Sequence, residues 1–187
     1  MFIYIRKKAI KNTFNYLLRA YKEGSDKEAR RKMHDASCMA GIAFTNSSLG
    51  INHSLAHAVG AKFKLSHGKS NAILLPYVIG YNSGLRSNSI EKVEVAERYT
   101  QISKSLGLPS SNVMEGVISL MEAIKVLNRE MNIPITIEKA GISKIEFEDS
   151  LIDMVDGSLK DICTAGNPIK TNKDDLINLL RLAYRGE

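Results

Sequence analysis

The sequence lacks the marks of membrane and secreted proteins. No apolar stretch reaches the roughly 18 residues that a membrane-spanning helix needs, so we expect no membrane association. The N-terminus places its positive charges after a short apolar stretch, and no cleavage-site pattern follows, which argues against a signal peptide. The two cysteines, Cys38 and Cys163, lie far apart and fit no zinc or redox spacing. A reduced, cytoplasmic setting fits this usage best.

Signals for β-structure and for a dinucleotide-binding half are also missing. No long segment alternates apolar and polar residues, and no hairpin turn pattern occurs. The Gly-x-Gly-x-x-Gly pattern that follows a strand in dinucleotide-binding folds is absent. No internal repeat or low-complexity linker divides the chain. We therefore predict an all-α fold, one domain over 1–187 with about seven to nine helices.

Apolar residues that recur about every 3.6 positions predict the helices, and capping patterns predict where they begin. A first helix over 3–22 ends at Gly24, and Ser25 with Glu28 forms a capping box for a second helix. Later helices are predicted at 51–62, 90–106, 112–131 and 143–160. Another begins at residue 70 and bends or restarts at Pro76. The last helix follows a cap formed by Thr171 with Asp174. Loops are predicted at 46–50, 60–68, 82–89 and 161–168.

Positive charge is concentrated near the N-terminus. The net charge is +6, from 26 Lys and Arg against 20 Asp and Glu. Residues 1–33 hold ten of the basic side chains and three of the acidic ones. A basic helix can contact phosphate, but a solvated face is the commoner role of such a helix. Because no nucleic-acid motif accompanies the charge, we expect no nucleic-acid partner.

Three of the four histidines fall within fifteen positions, among Gly, Ala and Ser residues. His53 and His57 are four residues apart and share one helix face. His67 follows behind a glycine-bounded loop that can fold back on that face. Imidazole binds Fe, Zn, Ni and Cu, so the spacing leaves two interpretations open, a metal site or structural histidines. The metalloprotease pattern His-Glu-x-x-His is excluded, because Ser54 stands where its Glu would be.

These histidines belong to a longer motif. The run MAGIAFTNSSLGINHSLAHAVGAKFKLSHGKSNAILLPYVIGYN resembles the signature region of iron-dependent (group III) alcohol dehydrogenases. The segments LLRAYKEGSDKEARRKMHDAS and DICTAGNPIKTNKDDLINLLRLAY are similar to the same family. The likeness covers nearly the whole chain and is nearest to the propanol, butanol and ethanol dehydrogenase branches and the alcohol dehydrogenase part of bifunctional aldehyde-alcohol enzymes. It implies the family's all-helical C-terminal domain.

The resemblance also implies roles for single residues. His53 and His67 correspond to metal ligands. His57 corresponds to a histidine of the catalytic pocket, for proton relay or for contact with substrate and cofactor. Phe44 corresponds to an aromatic of the substrate pocket, and Cys163 to a cysteine that faces both the nicotinamide and the substrate. Without the resemblance, Phe44 reads as a core aromatic and Cys163 as a small buried thiol.

The implied reaction is a reversible hydride transfer between a small primary alcohol or aldehyde and NAD(H) or NADP(H). A bound Fe²⁺, or Zn²⁺, acts as the Lewis acid in such a reaction. We also expect apolar surface at Ile3, Ile5 and Phe14 of the first helix, and hence a homo-oligomer.

The resemblance implies features that we do not find in this sequence. Members of the family have an N-terminal α/β cofactor domain and an Asp-x-x-x-His helix that supplies two further metal ligands. We therefore expect weak metal affinity and no turnover from this chain alone. Three interpretations stay open: a helical half that works with a separately encoded cofactor domain, an inactive remnant, or a binding module that uses its basic N-terminal helix.

Overall fold

The computed structural model describes residues 2–85 and 90–186, except the side chains of residues 2, 3 and 90–92. Within these ranges the chain forms eight α-helices and no strand, which confirms the all-α prediction. The α-helices are α1 Phe2–Lys22, α2 Lys27–Thr45, α3 Ile51–Phe63, α4 His67–Asn82, α5 Ile90–Leu106, α6 Val113–Glu130, α7 Lys144–Lys160 and α8 Lys173–Arg185. Two 3-10 helices, Glu138–Ala140 and Ile162–Gly166, flank α7. None of the described helices combines the length and the hydrophobicity that a bilayer crossing demands.

Two buried clusters form the core, and α4 contributes to both. The larger cluster joins α3, α4, α7 and α8, and Leu55, Leu74 and Phe147 are fully buried in it. The smaller cluster joins Ile79 of α4 to α5 and α6. Because α4 is buried on nearly every side, its apolar residues follow no single stripe. This burial explains why the periodicity of the segment is ambiguous in the sequence.

The first two helices form a hairpin, in which α2 packs chiefly on α1. Phe14 of α1 is partly buried against the smaller cluster, and Ile5 is half-buried, so neither is as exposed as expected. The side chain of Ile3 lies outside the described part of the structure. Instead, Tyr4 and Tyr21 present the exposed aromatic surface of α1, at 72% and 52% exposure.

Capping side chains begin several helices where the sequence predicts them. The side chain of Asn112 accepts a hydrogen bond from the Glu115 amide at 2.9 Å, at the start of α6. The hydroxyl of Ser143 accepts one from the Glu146 amide at 3.2 Å, at the start of α7. Each bond satisfies a backbone N–H that has no partner within its own helix.

Two predicted caps are wrong by one residue. Asp26, not Ser25, caps α2, and its carboxylate accepts from the backbone amide three residues on at 2.9 Å. Asn172, not Thr171, caps α8, in a reciprocal capping box with Asp175. In both places two capping residue types stand side by side. The sequence pattern cannot tell which of the two adjacent residues is the N-cap, because the helix start is set by which helix face is buried.

The loop predicted at 60–68 is shorter in the structure. α3 continues to Phe63, and Lys64 then adopts the left-handed conformation with φ of 54°. Ser66 caps α4 by accepting from the Lys69 amide at 3.4 Å, so His67 is the first residue of α4 and not a loop residue. Ser66 and Gly68 are typical of loops, which hid this helix start in the sequence.

Pro76 lies inside α4, and the helix continues through it to Asn82. Proline has no backbone N–H, so the carbonyl of Ala72, four residues earlier, loses its helical donor. The buried side chain of Asn128 on α6 replaces that donor, with its Nδ2 2.8 Å from the Ala72 oxygen. The interior proline is therefore tolerated because another helix satisfies the carbonyl that it leaves free.

We expect Asn128→Leu to lower the free energy of unfolding by about 1–3 kcal/mol, because the partly buried Ala72 carbonyl then loses its donor. In a Pro76→Ala background the cost should be smaller, because the new backbone N–H can bond to that carbonyl. Urea denaturation of the four proteins of this double-mutant cycle measures the coupling. An equal cost in both backgrounds would show that Asn128 stabilises the fold by other means.

The observed register of α8 has a separate test. We expect Asn172→Ala to destabilise the protein by about 1 kcal/mol, because it removes the side-chain oxygen that accepts from the Asp175 amide. The matched change Thr171→Ala should leave the urea midpoint nearly unchanged. A larger effect at Thr171 than at Asn172 would contradict the observed cap.

Candidate metal centre

The fold brings the three neighbouring histidines together. His53 and His57 lie on one face of α3, and their ring centroids are 6.3 Å apart. The ring of His67, at the start of α4, lies 5.3 Å from that of His53 and 5.2 Å from that of His57. α3 and α4 pack closely through the larger core cluster, which sets this spacing. The sequence spacing alone places His53 and His57 on one face of α3. The short connection over 64–66 then brings the ring of His67 beside them.

The electrostatic environment of the cluster favours a neutral imidazole at His53. Its side chain is partly buried, and burial lowers its pKa because the charged form loses hydration. The nearby rings of His67 and His57 lower it further, and Asp161 acts in the opposite direction. Metal ions bind the neutral form of imidazole, so this environment suits a ligand.

Two linked asparagines, one of which contacts the ring, lie beside His67. The Asn71 amide nitrogen lies 3.1 Å from its Nε2 and also donates to the His67 carbonyl at 3.0 Å. Asn52 of α3 in turn donates to the side-chain oxygen of Asn71 at 2.7 Å. The Oδ1 of Asn52 is buried and has no hydrogen-bond partner among the described residues. A buried acceptor without a donor in this position would suit a bound water.

A carboxylate that our sequence analysis did not single out joins the cluster. The Nδ1 of His57 lies 2.8 Å from the Oδ2 of Asp161. Asp161 directly precedes the short 3-10 helix Ile162–Gly166, called the Ile162–Gly166 turn below. The other carboxylate oxygen of Asp161 accepts from the amide of Cys163 at 2.8 Å. The hydrogen bond from His57 is the main cause that lowers the pKa of Asp161. The sequence offers one weak signal for this residue, an Asp at the start of a predicted loop.

Cys163 also lies at this cluster, whereas Phe44 is not visibly part of it. Ligand atoms of His57, Asp161 and Cys163 all lie within 4.8 Å of one another. Burial, and then the neighbouring Asp161, raise the pKa of the half-buried Cys163 thiol. Phe44 lies in the last turn of α2 and is 47% exposed. Its pocket role therefore stays a prediction.

Specific contacts hold the Ile162–Gly166 turn against α3. The Thr164 hydroxyl lies 2.7 Å from the Ser54 Oγ and 2.6 Å from the Ser158 carbonyl. Gly166 lies against the connection between α2 and α3. A Cβ added to it would stand 2.0 Å from the Leu49 carbonyl oxygen. Only glycine fits there. These contacts position Asp161 opposite His57, across 104 residues of sequence.

Comparisons with known proteins identify the family of the chain. A family model described as the C-terminal part of the Fe-containing alcohol dehydrogenase family matches residues 4–184. The chain is 42% identical over 178 residues to an NADPH-dependent butanol dehydrogenase of Clostridium saccharobutylicum, covering 95% of this chain and 43% of that protein. It is 37% identical over 183 residues to an aldehyde-alcohol dehydrogenase of Streptococcus pneumoniae, covering 95% of this chain and 21% of that protein.

A solved structure gives the same result. The iron-containing alcohol dehydrogenase of Thermococcus thioreducens superposes with a TM-score of 0.84 at 30% identity, covering all of this chain and 44% of that one. The chain thus spans less than half the length of these relatives. With a family match over nearly all of its residues, the chain belongs to the Fe-containing alcohol dehydrogenase family and corresponds to its C-terminal, all-helical part.

Proposed function

We propose that this chain is the metal-binding helical half of a cytoplasmic, NAD(P)-dependent alcohol dehydrogenase. It would interconvert small primary alcohols and aldehydes, as a homo-oligomer, together with a cofactor-binding domain of the kind found in the family. The observation that carries the proposal is the convergence of three histidine rings at spacings of 5.2–6.3 Å, within a chain of this family. The dehydrogenase names of its relatives support the reaction class.

The residues at the cluster fit a divalent metal ion. His53 and His67 would hold it, because imidazole nitrogens suit both Fe²⁺ and Zn²⁺. The lowered pKa of His53 favours the neutral form of that ring, and the amide of Asn71 lies beside the ring of His67. The unpartnered Oδ1 of Asn52 could take part through a bound water. When bound, the metal would supply Lewis-acid polarisation of the alcohol or carbonyl oxygen.

Asp161 prepares His57 for proton transfer. An ionised carboxylate can only accept a hydrogen bond, so the Nδ1 of His57 must donate to it. This assignment leaves the Nε2 of a neutral His57 without a proton. His57 can then accept a proton during alcohol oxidation and return it during aldehyde reduction. Cys163 would form part of the wall shared by substrate and nicotinamide, and Phe44 would contact the substrate's carbon chain.

The proposal has a direct test in a fusion. We expect the 187-residue chain alone to show no NAD(P)-linked oxidation of butanol. Fused behind the part of the Clostridium saccharobutylicum enzyme that precedes the matched region, it should turn over when Fe²⁺ or Zn²⁺ is supplied. In the fusion, His53→Ala or His67→Ala should raise the metal concentration for half-maximal activity at least tenfold, by analogy with the roughly 10- to 100-fold effect of outer-shell changes.

His34 provides the matched control for these substitutions, because it is an exposed histidine on α2. His34→Ala should leave the metal dependence unchanged. A folded fusion without activity would favour the inactive remnant. Activity of the unfused chain would contradict the proposal that turnover needs a cofactor-binding domain.

The pocket roles have a kinetic test in the same fusion. His57→Ala should lower kcat by about 10²–10⁴-fold with little change in KM, because it removes a proton-transfer group. Phe44→Ala should mainly raise KM for butanol, because it removes apolar contact with the bound alcohol. A loss of kcat at Phe44, or an unchanged kcat at His57, would contradict these assignments.

A further inference from the structure

We infer that His57, Asp161 and Cys163 form a metal site of their own, suited to Zn²⁺ or Co²⁺, that the chain can load without any other domain. The site uses neither His53 nor His67, so it goes beyond the proposed function. Among the described residues, these three side chains place their ligand atoms within 4.8 Å of one another.

The side chains need a modest rearrangement to hold an ion. Zinc bonds of about 2.0–2.3 Å in a tetrahedral site put ligand atoms about 3.3–3.6 Å apart. A pair 4.8 Å apart must therefore close by about 1.2–1.5 Å, whereas the His57 Nδ1 and Asp161 Oδ2, now 2.8 Å apart, must open by about 0.5 Å. The side chain of His57 is 45% exposed and that of Asp161 is 20% exposed, so His57 in particular has room to turn and the site is open to solvent. Cys163 lies on the short Ile162–Gly166 turn rather than on a long helix.

Asp161 already orients the other two ligands. One of its carboxylate oxygens bonds the His57 ring and the other accepts from the Cys163 amide, each at 2.8 Å. The ion would take the place of the proton that lies between His57 and Asp161. That proton would move to the Nε2 of His57. The Cys163 thiol would lose its proton to solvent. A divalent cation with one carboxylate and one thiolate makes a site of zero net charge, and one proton is released.

The donor set selects the class of metal. A thiolate with an imidazole suits Zn²⁺ and Co²⁺, whereas Mg²⁺ and Ca²⁺ prefer oxygen ligands alone. Three protein ligands leave a fourth position for water or another small ligand. Within the histidine pair His53 and His67, by contrast, both ligands are neutral. In the chain alone, the ion therefore gains more charge stabilisation from Asp161 and Cys163.

A Co²⁺ titration of the metal-free 187-residue chain tests the inference. Thiolate ligation to Co²⁺ produces a near-ultraviolet charge-transfer band, which histidine and carboxylate ligands do not produce. We expect the band to saturate at one equivalent. Cys163→Ser should abolish it, and His57→Ala or Asp161→Asn should weaken Co²⁺ affinity at least tenfold, by analogy with the roughly 10- to 100-fold effect of outer-shell changes.

Cys38→Ser is the matched control, because Cys38 is the other free cysteine and is exposed on α2. The variant should keep the band, and circular dichroism of each variant checks its fold. A band that survives Cys163→Ser, or Co²⁺ binding without any band, would overturn the inference.

The two proposals fail separately. If His53→Ala abolishes Co²⁺ binding to the chain while Cys163→Ser does not, the inferred site is absent and the histidine site stands. If Cys163→Ser abolishes it and His53→Ala does not, the inferred site stands for the chain alone. Loss of metal-dependent turnover in the fusion remains the separate test of His53 and His67.

Discussion

The burial of α4 between two clusters of apolar side chains is the constraint on which the rest of the structure depends. Its first part packs into the larger cluster and Ile79 into the smaller one, so α3, α5, α6 and α8 all contact it. The helix survives its interior Pro76 because Asn128 supplies the missing donor. His67 is its first residue, so the helix that organises the core also delivers the third ring of the histidine cluster.

The cluster brings together two neighbouring sets of side chains with metal-binding donor atoms, His53 with His67, and His57 with Asp161 and Cys163. His53 and His67 are the pair that the family resemblance implies, and a neutral imidazole ligand brings no negative charge to a metal ion. Asp161 and Cys163 add two groups that can carry negative charge on the other side of His57. His57 belongs to the second set and lies beside both rings of the first, and its Nδ1 lies 2.8 Å from the Asp161 carboxylate. The contacts of Thr164 hold the Ile162–Gly166 turn against α3 and so keep Asp161 beside His57.

Sequence patterns predicted the helices well where the physical signal is local. The caps at Asn112 and Ser143 are confirmed, because a side-chain oxygen three residues before a free amide is a short-range arrangement. The caps at Ser25 and Thr171 were wrong by one residue, because adjacent residues of equal capping tendency leave the register to the core. Phe14 was expected to be exposed and is partly buried against α5 and α6, which no pattern within α1 could reveal.

By itself, the sequence determined the all-α class, the common face of His53 and His57, and the family. Helical periodicity and long motifs act over a few turns of chain, where spacing sets geometry. Only the tertiary structure decided that His67 begins α4 and that Asp161 bonds a histidine 104 residues away. It also decided that Cys163 lies beside both. Such pairings depend on how packed helices and a glycine-tight turn place distant segments, and no local pattern in the sequence encodes that placement.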